Sequence, residues 1–214
     1  MMQQAGGMDV NSLMQRLRRL AMLDTTVFDE VKGDTNSTIP ALVVVLASTL
    51  CAGLGGWLWW LFADFGDSGK VFIQSVILGS ILSVLLWGVW VAITYVMLTQ
   101  VFRARADVNE LVRVMGFATA PFALTILMFI PGLDFGIGLT ATALLLATSV
   151  LAVESATDAP AGRALVATAA GFAVWAIVLG LLTTKTHNWA PGFFVIDRPV
   201  DALKDYVSFF GGVR

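Results

Sequence analysis

Five long apolar runs, separated by short polar or Gly- and Pro-containing breaks, constrain the fold of this chain more than any other feature. A helix of roughly 17–25 apolar residues crosses the hydrocarbon core of a bilayer. The predicted spans are 39–62, 71–98, 107–130, 137–153 and 164–184. Because 57% of the residues are hydrophobic and only 13% are charged, a water-soluble core could not enclose this apolar surface. The sequence therefore predicts an all-α polytopic membrane protein, a bundle of five transmembrane helices.

Polar segments flank the spans at both ends of the chain. Residues 1–38 lack the apolar core and small-residue cleavage site of a signal peptide, so we expect the first span to insert uncleaved. Residues 9–23 have the spacing of an amphipathic helix, which either lies on the membrane surface or packs on the protein's own spans. In the polar tail, 185–214, a second amphipathic helix is predicted over 199–210, where it caps the bundle or binds a partner.

The distribution of Lys and Arg predicts the orientation in the membrane. Eight of these residues flank the spans on the N-terminal side: Arg16, Arg18, Arg19, Lys32, Arg103, Arg105, Arg113 and Arg163. Lys70 alone lies in the opposite loops, and four more cations lie in the tail. The positive-inside rule then places the N-terminus in the cytoplasm and the C-terminus outside the cytoplasmic membrane. Arg16, Arg18 and Arg19 are candidate contacts for lipid headgroups.

Few side chains inside the spans could carry chemistry. The acidic residues lie at span ends or in loops, so no charge in the middle of a span marks an ion or proton pathway. The polar candidates within the spans are Gln74, Thr94, Tyr95 and Thr125. Hydrogen bonding between helices is the simpler interpretation of such groups, and contact with a transported solute is the alternative.

Glycine, proline and tryptophan mark structural positions. Gly116 and Pro121 predict a kink in the third span, since Pro removes a helical hydrogen bond, and Pro131-Gly132 predicts a tight reversal into the fourth. Three tryptophans near the end of the first span, Trp57, Trp59 and Trp60, are typical of an interfacial aromatic belt.

Sequence motifs for catalysis and cofactor binding are missing. The chain contains no phosphate-binding loop, no GxSxG, no HExxH and no CxxC. One His and one Cys rule out the common zinc and iron ligand sets, so we expect no metal and no cofactor. A net charge of −2 gives no basic field for nucleic acid. These observations together argue against an enzyme.

The segment DVNELVRVMGFATAPFAL, residues 107–124, resembles the third span of the Yip-type membrane domain, the family named for Ypt/Rab-interacting proteins. Phe28-Asp29-Glu30-Val31 with Asp34, and Gly162-Arg163-Ala164 at the start of the fifth span, are similar to its prokaryotic branch. The resemblance implies a five-span bundle with a cytoplasmic N-terminus and an outer C-terminus. The Asp-Leu-Tyr-Gly-Pro-like motif of the eukaryotic members is missing, so a GTPase partner is not implied.

Three functional hypotheses remain. The first is a non-enzymatic membrane scaffold or organising protein that binds itself or other membrane proteins within the lipid bilayer. The second is an accessory subunit of a larger energy-transducing or transport complex, which a small chain without cofactor ligands would suit. The third is a small-solute transporter or channel that uses the third span around Pro121.

Overall fold

A computed structural model describes residues 9–62, 67–130, 132–184 and 187–188. Within these residues, five helices are long and apolar enough to cross a membrane: Thr35–Phe62, Ser68–Val101, Val108–Phe129, Asp134–Ala156 and Ala161–Leu182. The predicted all-α polytopic bundle with five spans is therefore confirmed. Large apolar side chains remain exposed along the spans, as lipid contact requires. The amphipathic helix predicted over 199–210 and the predicted turn residue Pro131 lie outside the described residues.

The N-terminal segment forms two short helices before the first span. Helix α1, Val10–Ala21, begins where the Asp9 carboxylate accepts a hydrogen bond from the backbone N–H of Asn11, at 3.0 Å. Helix α2, Thr26–Gly33, follows, and a 3-10 turn, Thr35–Ser37, leads into the first span. The amphipathic helix predicted over 9–23 corresponds to α1.

The first span is the regular helix α3, Thr38–Phe62. The second span alternates between helix types: α4, Ser68–Val71, a π-helical segment, Phe72–Leu78, α5, Gly79–Val96, and a second π-helical segment, Met97–Val101. This helix extends three residues beyond each end of the predicted span, 71–98. The helix ends at Val101, and two residues later Arg103, with a φ of 54°, adopts the left-handed conformation that commonly follows a helix end.

The third span changes helix type just before Pro121, in the region where the sequence predicts a kink. Helix α6, Val108–Ala118, is followed by a 3-10 helix, Ala120–Phe129. Pro121 has no N–H to donate to the carbonyl four residues earlier, which explains why the α-helical pattern stops before it. At about 2.0 Å of rise per residue, the ten 3-10 residues cover roughly 20 Å, about 5 Å more than as α-helix. A short segment thereby gains length across the membrane.

The 3-10 helix sorts its side chains into straight rows, because three residues complete one turn. Phe122, Thr125 and Met128 are buried, whereas Leu124 and Leu127 are exposed. One row therefore faces protein and another faces outward.

The fourth and fifth spans are regular α-helices. Helix α7, Asp134–Ala156, is three residues longer at each end than the predicted 137–153, because its polar first and last turns stay helical. Helix α8, Ala161–Leu182, begins after Pro160. Where the prediction continues the fifth span to residue 184, the chain leaves the helix and forms a short antiparallel strand pair, β1, Thr183–Thr184, and β2, His187–Asn188.

The chain divides into two compact units. Unit 1 comprises, within the described residues, 9–46, 88–121 and 145–173. Its close packing depends on small residues: a Cβ added at Gly116 would lie 2.7 Å from the Cβ of Ala41, and one added at Gly171 would lie 2.7 Å from the carbonyl oxygen of Trp90. The Trp90 indole N–H donates to the carbonyl of Thr168 at 2.9 Å. These contacts join α3 to α6 and α5 to α8.

Unit 2 comprises 47–62, 67–87, 122–130, 132–144, 174–184 and 187–188 of the described residues. Here α3 touches the 3-10 helix: a Cβ at Gly55 would lie 2.0 Å from the carbonyl oxygen of Thr125. The rings of Phe122 and Trp175 meet edge to face at a centroid distance of 5.7 Å. Backbone proximity and aromatic packing hold this unit together.

Candidate functional site

Unit 1 contains a buried arginine, Arg113, that joins α6 to α2. Only 6% of Arg113 is exposed. Its Nε donates to the carbonyls of Val31 and Lys32, each at 3.1 Å, and its second guanidinium nitrogen also donates to the Lys32 carbonyl. These carbonyls belong to the last turn of α2, where they have no partner within the helix and carry its partial negative charge. Arg113 therefore satisfies the C-terminal end of α2.

Apolar packing reinforces this connection between α2 and α6. Val27, Phe28 and Val31 of α2 are at most 1% exposed, and so are Leu111 and Val114 of α6. Burying three such side chains contributes on the order of 1.5–3 kcal/mol each. The short helix α2 is thus attached to the third span by both apolar and charged contacts.

Two further cations stabilise helix ends in unit 1. The Lys32 ammonium donates to the carbonyl of Ser155, in the last turn of α7, at 2.8 Å and to the Asp29 carboxylate at 2.7 Å. Arg163 lies 3.4 Å from the carbonyl of Phe102, just after the second span. Positive charge at helix C-termini is favourable. Three of the basic residues that predict the orientation, Lys32, Arg113 and Arg163, therefore also contact helix ends.

Beside Arg113 lies an open cleft of about 600 Å³, which is the candidate site. Three chain segments line it: Lys32 in the last turn of α2, residues between 99 and 110 from the end of the second span to the first turn of α6, and residues 155–158 at the end of α7 and just after it. Its charged lining residues are Lys32, Arg105, Asp107, Glu110 and Asp158. The segments are fixed to each other, because the backbone N–H of Arg105 donates to the Asp158 carboxylate at 2.7 Å.

Some charged side chains of the cleft already have hydrogen-bond partners within the protein, whereas Glu110 has no ion-pair partner among the described residues. Lys32 is held by Asp29 and Ser155, and Asp107 accepts the backbone N–H groups of Asn109 and Glu110 as the N-cap of α6. Glu110 lies half-buried at the cleft wall without an ion-pair partner among the described residues. The cleft can therefore accept hydrogen bonds and ion pairs from a cationic or amide-rich group.

The polar residues predicted as intramembrane contacts do not form one site. Gln74 and Thr125 belong to unit 2, and Thr94 and Tyr95 belong to unit 1. Thr125 donates to the carbonyl of Phe122 within its own helix, at 2.5 Å. Gln74 and Tyr95 are half-buried, whereas Thr94 is fully buried and its hydroxyl has no hydrogen-bond partner among the described residues.

The predicted structural positions have defined surroundings. Gly116 lets α6 approach Ala41, and Gly132 has a φ of 81°, a conformation that suits the predicted reversal. Trp57 donates its indole N–H to the carbonyl of Ser68 at 2.9 Å. Trp59 and Trp60 are half-exposed, as an interfacial belt requires.

The three arginines of α1 differ in their surroundings. Arg16 donates to the Ser37 hydroxyl at 2.6 Å and to Asp34 at 3.0 Å. Arg19 pairs with Asp24 at 2.8 Å and with Glu30 at 2.5 Å, whereas Arg18 is exposed. Arg16 and Arg19 thus fasten α1 to the segment that follows it.

The ion pairs of α1 are reflected in pKa shifts. The Ser37 hydroxyl and, secondarily, the Arg16 guanidinium lower the pKa of Asp34. The Thr26 hydroxyl and Arg19 lower the pKa of Asp24, and the same carboxylate raises the pKa of Arg19. Each shift favours the charged form that makes the contact.

Sequence reasoning missed the roles of Arg113 and of the cleft residues. It counted Arg113 among the cations beside the spans and did not assign Lys32, Glu110 or Asp158 to a site. One signal was available: Arg113 stands between Val112 and Val114, so the charge lies directly beside the apolar face of the third span.

The spans and the helices attached to them define an integral membrane protein of the polytopic α-helical class. The family model described as the Yip1 domain matches residues 24–184, so the chain belongs to the Yip1 domain family. The match includes α2, Arg113 and the cleft, and it begins after α1. The resemblance inferred from residues 107–124 is therefore confirmed. Comparisons with curated proteins and with solved structures found no match for the chain.

Proposed function

We propose that this protein is a non-enzymatic membrane scaffold that holds a partner protein at the charged cleft of unit 1. The observation that carries the proposal is the cleft itself, in which three chain segments bring five charged side chains around about 600 Å³ of open space. Arg113 of α6 donates to α2, and Lys32 of α2 donates to the last turn of α7, so the helices that form the cleft wall are held to each other. Preorganised walls favour binding, since little ordering is needed when a partner arrives.

The partner's chemistry follows from the charges that remain available. Three carboxylates and two cations line the cleft, and Lys32 is already paired. The excess is acidic, so a partner segment with a Lys or Arg side chain suits it. Such an interaction weakens with added salt, because exposed charges are screened beyond about 8–10 Å at physiological ionic strength.

Affinity purification of the tagged full-length protein in mild detergent, followed by mass spectrometry, tests the scaffold. We expect a protein partner, or a second copy, at stoichiometric levels. Glu110→Lys should reduce its recovery several-fold, whereas Glu154→Lys, an equal charge reversal at an exposed α7 position that does not line the cleft, should not. A monomeric protein without partners would contradict the proposal. Stoichiometric recovery with a defined integral complex would instead make it an accessory subunit.

We also infer that the N-terminal segment and the cleft face the cytoplasm and that the C-terminus lies outside, across the cytoplasmic membrane. The support is the excess of Lys and Arg on the N-terminal side of the spans. Reaction of single cysteines at Arg103 and at Lys70 with a membrane-impermeant maleimide in intact cells tests this orientation. Only the cysteine at 70 should react.

Transport is a second candidate, supported by three hydroxyls in unit 1. The side-chain oxygens of Thr94, Ser149 and Thr168 are buried without a hydrogen-bond partner in the part of the chain that the structure describes, which is unusual because unsatisfied buried groups cost free energy. Water or a small polar solute could satisfy them. Measurements of solute flux in vesicles reconstituted with the protein test this candidate. Absence of flux would exclude transport, and flux through the parent protein that is lower in Thr94→Val would support it.

A further inference from the structure

Helix α1 has an apolar face that the rest of the described protein covers only in part. At about 100° per residue, Val10, Met14 and Ala21 fall within roughly 40° of each other around the helix. All three are exposed, Val10 by 55% and Met14 by 60%. On the adjoining side Leu13 is only 7% exposed. The apolar arc of α1 therefore continues from the protein onto its outer surface.

Contacts on another side of α1 fix its height relative to the membrane. Arg16 donates to Ser37, the residue immediately before α3, and to Asp34. Ile39, in the first turn of α3, is 65% exposed and begins the apolar surface of the first span. The hydrogen bonds thus hold α1 at the level where that span enters the bilayer.

The end of α1 presents a second, independent observation. Leu23 has a φ of 63°, the left-handed conformation that closes the helix through the hydrogen bond from the Asp24 N–H to the Arg19 carbonyl, at 3.0 Å. Glycine adopts this conformation without strain, whereas a leucine does not. Leu23 is 77% exposed and Met22 is 63% exposed. Packing within the described protein therefore does not account for a large apolar side chain at this strained position.

We propose that α1 is an interfacial helix whose exposed apolar face, together with Met22 and Leu23, inserts into the headgroup region of the bilayer. Arg18 is exposed and lies at the edge of this face, about 40° beyond Met14 around the helix, where a guanidinium can reach lipid phosphate. Arg16 and Arg19 are engaged within the chain. The proposal is separate from the scaffold function, and α1 precedes the residues that match the family.

Brominated lipids test the contact in the full-length protein. In a Cys51→Ala background, Met14→Cys and Gln15→Cys are labelled with an environment-sensitive fluorophore and reconstituted into nanodiscs of phosphatidylcholine, with and without phosphatidylglycerol. Both positions are exposed, but they lie about 100° apart on α1. Brominated lipid should quench the label at position 14 several-fold more than the label at 15. Equal quenching would overturn the proposal, and so would a label at 14 that is shielded from water but not quenched, which would indicate a protein partner or a second copy.

Leu23→Gly separates lipid contact from internal packing. The substitution removes backbone strain, so thermal stability in detergent should stay the same or rise. In nanodiscs, quenching of the label at position 14 should fall at least two-fold, because the helix loses an anchor. A loss of stability in detergent would show that Leu23 packs against protein. Unchanged quenching in nanodiscs would show that Leu23 does not anchor α1. Either result would overturn the proposal that Leu23 inserts into the bilayer. Arg18→Gln should abolish any increase in quenching that phosphatidylglycerol produces.

Discussion

The attachment of α2 to the third span through Arg113 makes a strong quantitative prediction. Arg113→Met keeps the approximate size of the side chain but removes every donor. The carbonyls of Val31 and Lys32 then lose their partner, and a buried group left unsatisfied costs about 1–3 kcal/mol. The Val31 carbonyl loses the full amount because Val31 is completely buried, whereas the Lys32 carbonyl is near the surface and regains water. We therefore expect α2 to be destabilised by about 1–3 kcal/mol.

Hydrogen–deuterium exchange measures this change directly. Since about 1.4 kcal/mol corresponds to a factor of ten, the backbone amides of 26–33 should exchange roughly 5- to 140-fold faster in Arg113→Met than in the parent protein. Arg103→Met is the matched control, because it removes the same charge from an exposed residue in a loop. Unchanged protection of α2 in Arg113→Met, or an equal loss in Arg103→Met, would refute the assignment of Arg113 as the residue that holds α2.

Two further predictions concern packing and pH. Gly55→Ala places a methyl group 2.0 Å from the carbonyl oxygen of Thr125, and because the contact is with backbone, no side-chain rotation relieves it, so the free energy of unfolding in detergent should fall by about 1–3 kcal/mol or more. The control is Gly88→Ala, whose new methyl group has no atom within 4 Å and which should be neutral or slightly stabilising. Equal effects of the two substitutions would contradict the packing argument. The lowered pKa values of Asp24 and Asp34 mean that the attachment of α1 is fully present above the ordinary carboxyl pKa of 3.8 and is lost as the pH falls through the lower folded values. Protease sensitivity of residues 10–23 should therefore rise only below about pH 4, and a rise already near pH 6 would exclude these two carboxylates as the cause.

The spans could be predicted from the sequence because hydrophobicity and length alone require them. Their ends were less predictable: Asp134 begins α7 although it is charged, since a helix continues into the interface beyond its apolar part. The 3-10 and π segments could not be predicted. Helices with hydrogen bonds between residues three, four or five apart cannot be distinguished by hydrophobic periodicity when almost every residue is apolar. Close contacts such as that between Gly55 and Thr125 accompany these changes, and they depend on the tertiary structure.

The candidate site was beyond sequence reasoning for a related reason. Arg113 binds backbone carbonyls about eighty residues earlier in the chain, and a carbonyl has no signature in a sequence. The cleft likewise combines residues 32, 99–110 and 155–158, which only the folded chain brings together. The amphipathic character of α1 was predictable from residue spacing, but the internal use of Arg16 and Arg19 was not. Arg16 pairs with Asp34 in the turn between α2 and α3, and Arg19 pairs with Asp24 and Glu30, before and within α2, so both pairings depend on how the chain folds after α1.

The straight rows of the 3-10 helix restrict how this protein can change during evolution. In a helix with three residues per turn, deleting one residue rotates everything after it by about a third of a turn. Deletion of Ala123 would move Thr125 and Met128 to the positions of Leu124 and Leu127 and bring Ile126 and Phe129 into the buried row. We therefore expect homologues to tolerate substitutions between residues 120 and 129 far more readily than changes in length.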